Sequence, residues 1–344
     1  MKAIAKVRRE RGIEVIDVPP DKITDNEVLV KMRSASVCGS DLGLYDFSSP
    51  YQKFTKVPII LGHEFSGEIV ELGKKVSGYT IGQRVSSESV IYCDECRFCK
   101  IGMTNICQNF EVFGVHKNGG FAEFVSVDPK LLHNIPHEIT CLEAGIVEPL
   151  SIAVNAVDDI ADVRSGQCVS IIGPGPIGLL CAEVLSLKGV NNIFVLGLGV
   201  DTLRLEIARD KLGYRTINVE QEDPQETIMD ATKGYGCELV IVAAGAAAAL
   251  RSGLSLVSKG GQVVVLAIFP EEVPIPLTDL VRRQVSVTGS YASRWIHYEQ
   301  AISLLRKKKV RADAIVTHRF ELDQAERAFE IARSKVGCKV QFYA

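Results

Sequence analysis

The sequence carries a single tryptophan, four methionines and only 7% aromatic residues, and it is nowhere apolar for long. Its longest nearly apolar stretch, Cys168 to Ala182, is interrupted by Ser170 and two prolines. That falls short of the roughly 20 residues a membrane span needs. An excess of either charge is missing as well: 39 Lys and Arg against 42 Asp and Glu leave a formal charge of -3. Without a strong positive field, non-specific nucleic-acid binding is excluded as the main activity. Met1-Lys2-Ala3-Ile4 opens no apolar secretion segment, and no repeat recurs at solenoid spacing. These absences predict a cytoplasmic protein whose partners include neither nucleic acid nor membrane. The 47% hydrophobic and 24% charged residues are ordinary globular proportions. The 344 residues imply about two domains, at roughly 150 residues each.

Cysteine is what the chain has in abundance. Four of its ten cysteines, Cys93, Cys96, Cys99 and Cys107, fall within fifteen residues. With no secretion segment, such clustering argues for metal rather than disulfides. The spacing C-x-x-C-x-x-C-x7-C supplies four soft ligands on one loop, suited to a closed tetrahedral zinc site, with iron as the alternative. Cys141, Cys168, Cys181, Cys237 and Cys338 are scattered among apolar neighbours and read as small core residues.

The first 150 residues read as short strands and turns, including Val28–Met32 and Gly67–Val70. From about Gly166 strands alternate with helices. Cys168–Ile172 reads as a buried strand, followed by a glycine turn and a helix to Lys188 that stops at Gly189. Then come a strand Ile193–Leu196, a helix Asp201–Leu212, a helix from Pro224 to Lys233 and a strand Leu239–Ala243. An Ala-rich helix to Leu256 and a strand Gln262–Leu266 follow. This alternation implies right-handed βαβ units and a parallel sheet. After about Val285 it fades, and the last 60 or so residues are expected to return to the first domain.

Gly173, Gly175 and Gly178 form G-x-G-x-x-G between a strand and a helix that opens Pro176-Ile177. Such glycines let backbone turn tightly and approach a pyrophosphate seated on the helix N-terminus. The motif therefore points to dinucleotide binding rather than an accidental turn. The ribose-reading acid expected at the end of the second strand is missing: Gly197 or Gly199 stands there, depending on the anchor. Asp201 is the nearby carboxylate and reads equally well as a helix N-cap. A glycine leaves room for a 2′-phosphate that Arg204 would contact, so the reading leans toward NADP over NAD.

A third constellation is dispersed: Cys38, His63, Glu64 and Glu148 in glycine- or proline-marked segments. A thiolate, an imidazole and a carboxylate make an open zinc site with a position left for water or substrate.

Together these residues resemble the zinc-dependent medium-chain dehydrogenase/reductase family, in its sorbitol and threonine dehydrogenase-like branch. The resemblance is carried by Gly62-His63-Glu64-x-x-Gly67-x5-Gly73-x-x-Val76, Cys38-Gly39-Ser40-Asp41, the four-cysteine loop and the glycine turn. It implies an α/β chain: a GroES-like, β-rich catalytic domain over 1–150, a Rossmann domain with a doubly wound parallel sheet over 151–285, and a return to the catalytic domain over 286–344. Cys38, His63 and Glu64 match catalytic zinc ligands, and Glu148 a carboxylate that exchanges with Glu64 or acts through water. Asp41 matches the group that orients the zinc-bound His, and Ser40 the first carrier of the substrate proton. Cys93, Cys96, Cys99 and Cys107 match a structural zinc, making two zinc ions per chain. The cofactor set takes in the glycine turn with Pro176 and Ile177, then Gly197, Gly199, Asp201, Arg204, Ala244, Leu266 and Ala267.

The activity implied is oxidation of a secondary hydroxyl of a polyol, sugar acid or related small alcohol, with hydride transfer to NAD(P). L-Threonine and simple secondary alcohols are the alternative substrates, and a zinc-and-nucleotide sensor or a zinc-free quinone-reductase-like enzyme is the rival class. Relatives are commonly homotetramers or dimers. Two departures stand out. Gly43 replaces the His found in relatives five residues after the first zinc ligand, and Ala292 replaces an Arg common in polyol dehydrogenases. His116 falls in a loop that borders the substrate in relatives or is an ordinary loop residue. Tyr291 and Trp295 line the pocket or are packing aromatics. Arg306-Lys307-Lys308-Lys309 reads as a solvated helix end.

Overall fold

The computed structural model describes residues 1–48, 51–53 and 55–344, and it divides into one unit of residues 1–151 with 292–344 and a second of residues 152–291. Chain order through the first segment gives β1 (Lys2–Lys6), β2 (Glu14–Asp17), β3 (Val28–Ser36), β4 (Ile59–Ile60) and β5 (Glu64–Leu72). There follow β6 (Arg84–Ser87), β7 (Val90–Ile91), β8 (Glu111–Val112), β9 (Phe124–Val127) and β10 (Leu132–Asn134). β3 and β5 are the long ones and pair antiparallel from Val28↔Leu72 to Ser36↔Glu64. That register sets Glu64 at the start of β5 beside the end of β3, which leads directly to Cys38.

The second unit is a single parallel sheet of β11 (Cys168–Ile172), β12 (Asn192–Gly197), β13 (Arg215–Asn218), β14 (Cys237–Val242), β15 (Val257–Val265) and β16 (Ser286–Gly289). Every residue of β11 is buried, as a central parallel strand covered on both faces requires. The order β13-β12-β11-β14-β15-β16 reverses between β11 and β14. In open α/β sheets ligands bind at that switch point, beyond the C-terminal ends of the strands. Phe194, Leu196, Val240 and Val242 anchor the core, each contributing about 1.5–3 kcal/mol by burial.

After the sheet the chain supplies β17 (Val316–Glu321) and β18 (Lys339–Tyr343), which pair parallel to each other. β18 also pairs antiparallel with β3, completing a seven-stranded sheet in the order β10-β6-β5-β3-β18-β17 with β9 against β3. Phe342 of β18 packs on Phe121 at 5.0 Å between ring centroids, and Phe329 on Phe121 at 6.2 Å. These rings fix β18 on the core and hence fix Lys339 at its first position.

Candidate active site

Helix Gly39–Tyr45 starts at Cys38, whose backbone N–H donates to Asp41 Oδ2 at 2.9 Å. That bond closes the first turn and presents Cys38, Ser40 and Asp41 on a short arc. Gly62 enters β5 with φ +91°, and a Cβ there would meet the Phe121 ring at 2.3 Å, so only glycine lets His63 and Glu64 follow at this angle. The ligand atoms of Cys38, His63 and Glu64 all lie within 4.8 Å of one another. His63 Nε2 is 3.3 Å from Ser40 Oγ, and its Nδ1 faces Asp41 Oδ1 at 3.8 Å. A carboxylate on that side favours a proton on Nδ1 and leaves the Nε2 lone pair for a metal.

The charges around this cluster ask for a cation. Asp41, Glu64 and Glu148 are buried, and Glu64 Oε1 and His63 Nδ1 accept or donate no hydrogen bond among the described residues. Burial works to lower the His63 pKa, yet the charges of Cys38 and Asp41 outweigh it and hold it well above the usual histidine value. Burial, with the Glu64 charge added, pushes Glu148 up to about 7. Glu148 is thus electrically coupled to the cluster, although it lies outside the three-residue set of mutually close donors. It is carried by helix Val147–Val154, whose approach is pinned by Ser36 Oγ donating to the Gly145 carbonyl at 2.6 Å. One buried cation was not anticipated from the sequence. Lys339 Nζ pairs with Glu64 Oε2 and donates to the Val37 carbonyl at 3.0 Å. Burial alone would lower its pKa, but Glu64 and Cys38 raise it. A soft thiolate, an imidazole and a buried carboxylate in a negative enclosure fit zinc.

The four-cysteine loop closes on itself. Its sulfur atoms approach at 3.5 Å for Cys96–Cys99, 3.9 Å for Cys96–Cys107 and 3.5 Å for Cys93–Cys107. A tetrahedron with Zn–S of about 2.3 Å has sulfurs about 3.8 Å apart, whereas a disulfide needs about 2.05 Å. Backbone N–H groups of Cys93 and Asn109 donate to Cys107 Sγ, and that of Cys96 to Cys93 Sγ. Bonds of the same kind from the Cys99 and Gln108 backbone lower Cys96 to about 6, the direction a thiolate ligand requires.

In the second unit, β11 ends at Ile172, Gly173 follows it, and helix Pro176–Leu187 begins three residues after Gly173. A Cβ on Gly178 would meet the Gly173 carbonyl at 2.1 Å, so the helix start and the turn touch backbone to backbone. Beyond Gly175 the space is open. Gly173 is close to Ala244, and the N–H groups of Leu266 and Ala267 donate to the Val242 carbonyl, which sets these residues at the same strand ends. A bare cradle at a helix N-terminus and a sheet switch point fits a dinucleotide pyrophosphate. Gly197 packs against Pro174 instead of opening a space. Asp201 is buried, accepts from the Leu198 N–H at 3.2 Å and faces Arg204 at 3.7 Å. Arg204 is itself buried, so the lean toward NADP finds no exposed guanidinium in this pair.

Other expectations meet different fates. His116 Nδ1 accepts from the Val112 N–H at 3.1 Å, and its ring lies edge-on to Phe110. Trp295 and Tyr291 are exposed, not core aromatics. The basic run ends helix Trp295–Arg306, but it is not simply solvated: Arg306 pairs with Glu138 and Lys308 with Glu143. Cys141 is exposed, which corrects its reading as a core residue, while Cys168, Cys181, Cys237 and Cys338 are buried.

Comparison with known proteins decides the family. The family described as alcohol dehydrogenase GroES-like domain matches residues 24–137, and the zinc-binding dehydrogenase family matches 176–307. A sorbitol dehydrogenase of Halalkalibacterium halodurans is 33% identical over 343 residues, 99% of this chain and 98% of that one. The chain belongs to the zinc-dependent alcohol dehydrogenases. This dehydrogenase is also similar to an L-threonine 3-dehydrogenase of Escherichia fergusonii, 33% identical over 341 residues that cover 99% and 98% of the two chains. Its fold matches an Escherichia coli CFT073 alcohol dehydrogenase solved with NADH, at a TM-score of 0.90 and 29% identity, with 100% and 99% covered. It is an NAD(P)-dependent medium-chain enzyme of the sorbitol and threonine dehydrogenase-like branch, and it oxidises alcohols with zinc.

Proposed function

We propose that this dehydrogenase oxidises a secondary hydroxyl of a polyol, sugar acid or related small alcohol to the ketone. The observation that carries the reading is the Cys38–His63–Glu64 cluster, its histidine and carboxylate buried, with Ser40 and Asp41 against the imidazole. Cys38, His63 and Glu64 hold a catalytic zinc, with Glu148 close enough in charge to exchange for Glu64, and Cys93, Cys96, Cys99 and Cys107 hold a structural one. Zinc supplies a Lewis acid that makes an alcohol acidic near neutral pH, and NAD(P) supplies the hydride acceptor. Asp41 keeps the His63 proton on Nδ1. Ser40 Oγ, beside Nε2, takes up the substrate's hydroxyl proton as it releases its own. With Gly43 where relatives carry histidine, the proton leaves Ser40 without an imidazole partner at that position.

Residues 1–151 with 292–344 are the catalytic domain, and residues 152–291 bind the cofactor. A homo-oligomer, dimer or tetramer, in the cytoplasm is the assembly this branch supports. No helix among the described residues is long and apolar enough to cross a membrane. The threonine dehydrogenase relatives at 33% identity favour L-threonine as a second substrate reading.

The test is parallel reduction of NAD and NADP by a panel of polyols, sugar acids, secondary alcohols and L-threonine, beside metal analysis. Two zinc ions per chain, with turnover that Cys38→Ser reduces to background while NADH still binds, is the expected result. Normal turnover in Cys38→Ser would remove the catalytic assignment.

A further inference from the structure

The end of β12 lacks the carboxylate that reads an adenosine ribose, and the fold supplies one from elsewhere. Gly199, in the loop after β12, donates its backbone N–H to Glu220 Oε2 at 2.7 Å. A Cβ on Gly199 would sit 2.7 Å from that same oxygen, so any larger residue there would push the carboxylate away. Glu220 is presented by β13, whose last residue, Asn218, pairs with Gly197 at the end of β12. Asn218 Oδ1 accepts from the Glu220 N–H at 3.1 Å, and the Asn218 carbonyl accepts from the N–H groups of Gln221 and Glu222. The turn is therefore fixed, and it aims an otherwise exposed carboxylate at the strand end. Among the described residues Glu220 Oε1 has no hydrogen-bond partner. Leu198 and Val200, on either side of Gly199, are 42% and 56% exposed, apolar surface of the kind a purine covers.

We propose that Glu220 takes the place of the missing strand-end acid, accepting hydrogen bonds from the ribose hydroxyls of NAD and excluding NADP. The proposal rests on the dinucleotide reading of the glycine turn and deepens it. A carboxylate accepts from hydroxyls but repels a 2′-phosphate of about two negative charges. The cation that would offset this repulsion is not offered by Arg204, which is buried beside Asp201. This proposal runs opposite to the lean toward NADP drawn from Gly197 or Gly199 with Arg204.

The zinc-loaded full-length protein is titrated with NADH, NADPH, ADP-ribose and 2′-phospho-ADP-ribose, reading nucleotide fluorescence and heat of binding. The same is done for Glu220→Gln, which removes the charge and keeps the shape, with its melting temperature as a check on the fold. Wild type is expected to bind NADH and ADP-ribose tighter than their 2′-phosphorylated forms by about tenfold or more. In Glu220→Gln that ratio is expected to fall by a similar factor, with unchanged melting temperature. Equal or tighter binding of NADPH by wild type overturns the proposal. So does an unchanged ratio in Glu220→Gln, which would leave Glu220 as a cap on the Gly199 loop. Binding of none of the four ligands would instead overturn the dinucleotide reading itself, and the proposal with it.

Discussion

At the scale of single residues, the feature that most separates this site from a list of ligands is Lys339. Its side chain is 3% exposed and that of Glu64 is 1% exposed. Desolvating two charges is tolerable only while each compensates the other, and removing one partner of such a pair costs about 3–5 kcal/mol. A second cation changes that balance. With zinc on the cluster, Glu64 keeps a positive neighbour even when Lys339 is gone. Lys339→Met is therefore expected to destabilise the metal-free protein by about that amount and the zinc-loaded protein by clearly less. Urea unfolding with chelator and with zinc measures both, and equal losses in the two states would show that Lys339 does not share the Glu64 charge with a metal.

At the scale of elements, the join between helix Cys141–Ala144 and the end of helix Trp295–Arg306 has a pH signature. Thr140 caps the first helix by exchanging hydrogen bonds with Glu143, and Lys308 Nζ reaches both Glu143 oxygens at 2.6 and 2.8 Å. Burial would raise the Glu143 pKa, but Lys308 and Thr140 outweigh it and hold it below the ordinary value. A carboxylate with a depressed folded pKa stabilises the protein above its unfolded pKa, about 4.3, and that stability is lost as pH falls through the folded value. Lys308 is half exposed, so screening limits the contribution to about 1 kcal/mol or less. Glu143→Gln is expected to lower the urea midpoint at pH 7 and to flatten its dependence on pH below about 4.5; a midpoint that still falls as steeply as wild type there would place the acid sensitivity elsewhere. Elements of this kind also mark what was legible in the sequence. Cys168–Ile172, the glycine turn and the helix after it were readable because their signals are local: a buried run, three spaced glycines, a proline at a helix start. The four cysteines were readable for the same reason. Lys339 was not, since a lysine in a short apolar strand gives no sign of the carboxylate it meets on β5. Glu220 is not legible either, since a ribose-reading acid is expected at the end of β12, whereas this carboxylate arrives from just beyond the next strand. Cys141 was misread because apolar neighbours in sequence do not imply burial at a helix start.

Across the whole molecule, the two proposed metal centres lie in one structural unit yet differ in how a metal would leave them. The four cysteines enclose their centre with sulfur, and their thiolates are held by backbone N–H groups. The second centre has three mutually close protein donors, and a zinc held by three protein ligands keeps its fourth position for water or substrate. An open position gives a chelator a place to attack before any protein ligand has let go. A closed one requires the loop to unfold first, and there metal binding and folding are one equilibrium. Limited treatment with 1,10-phenanthroline is therefore expected to remove one zinc per chain, with turnover lost and the melting temperature lowered by no more than a few degrees. The second zinc should leave only under denaturing conditions or prolonged chelation, together with a cooperative loss of structure. Cys99→Ser should invert the order, retaining the catalytic zinc at low temperature while melting earlier. Metal analysis, activity and melting temperature followed on one sample distinguish these courses. If both ions left wild type together, in step with unfolding, the two centres would not differ in access. The open position on which the proposed substrate site depends would then have to be given up.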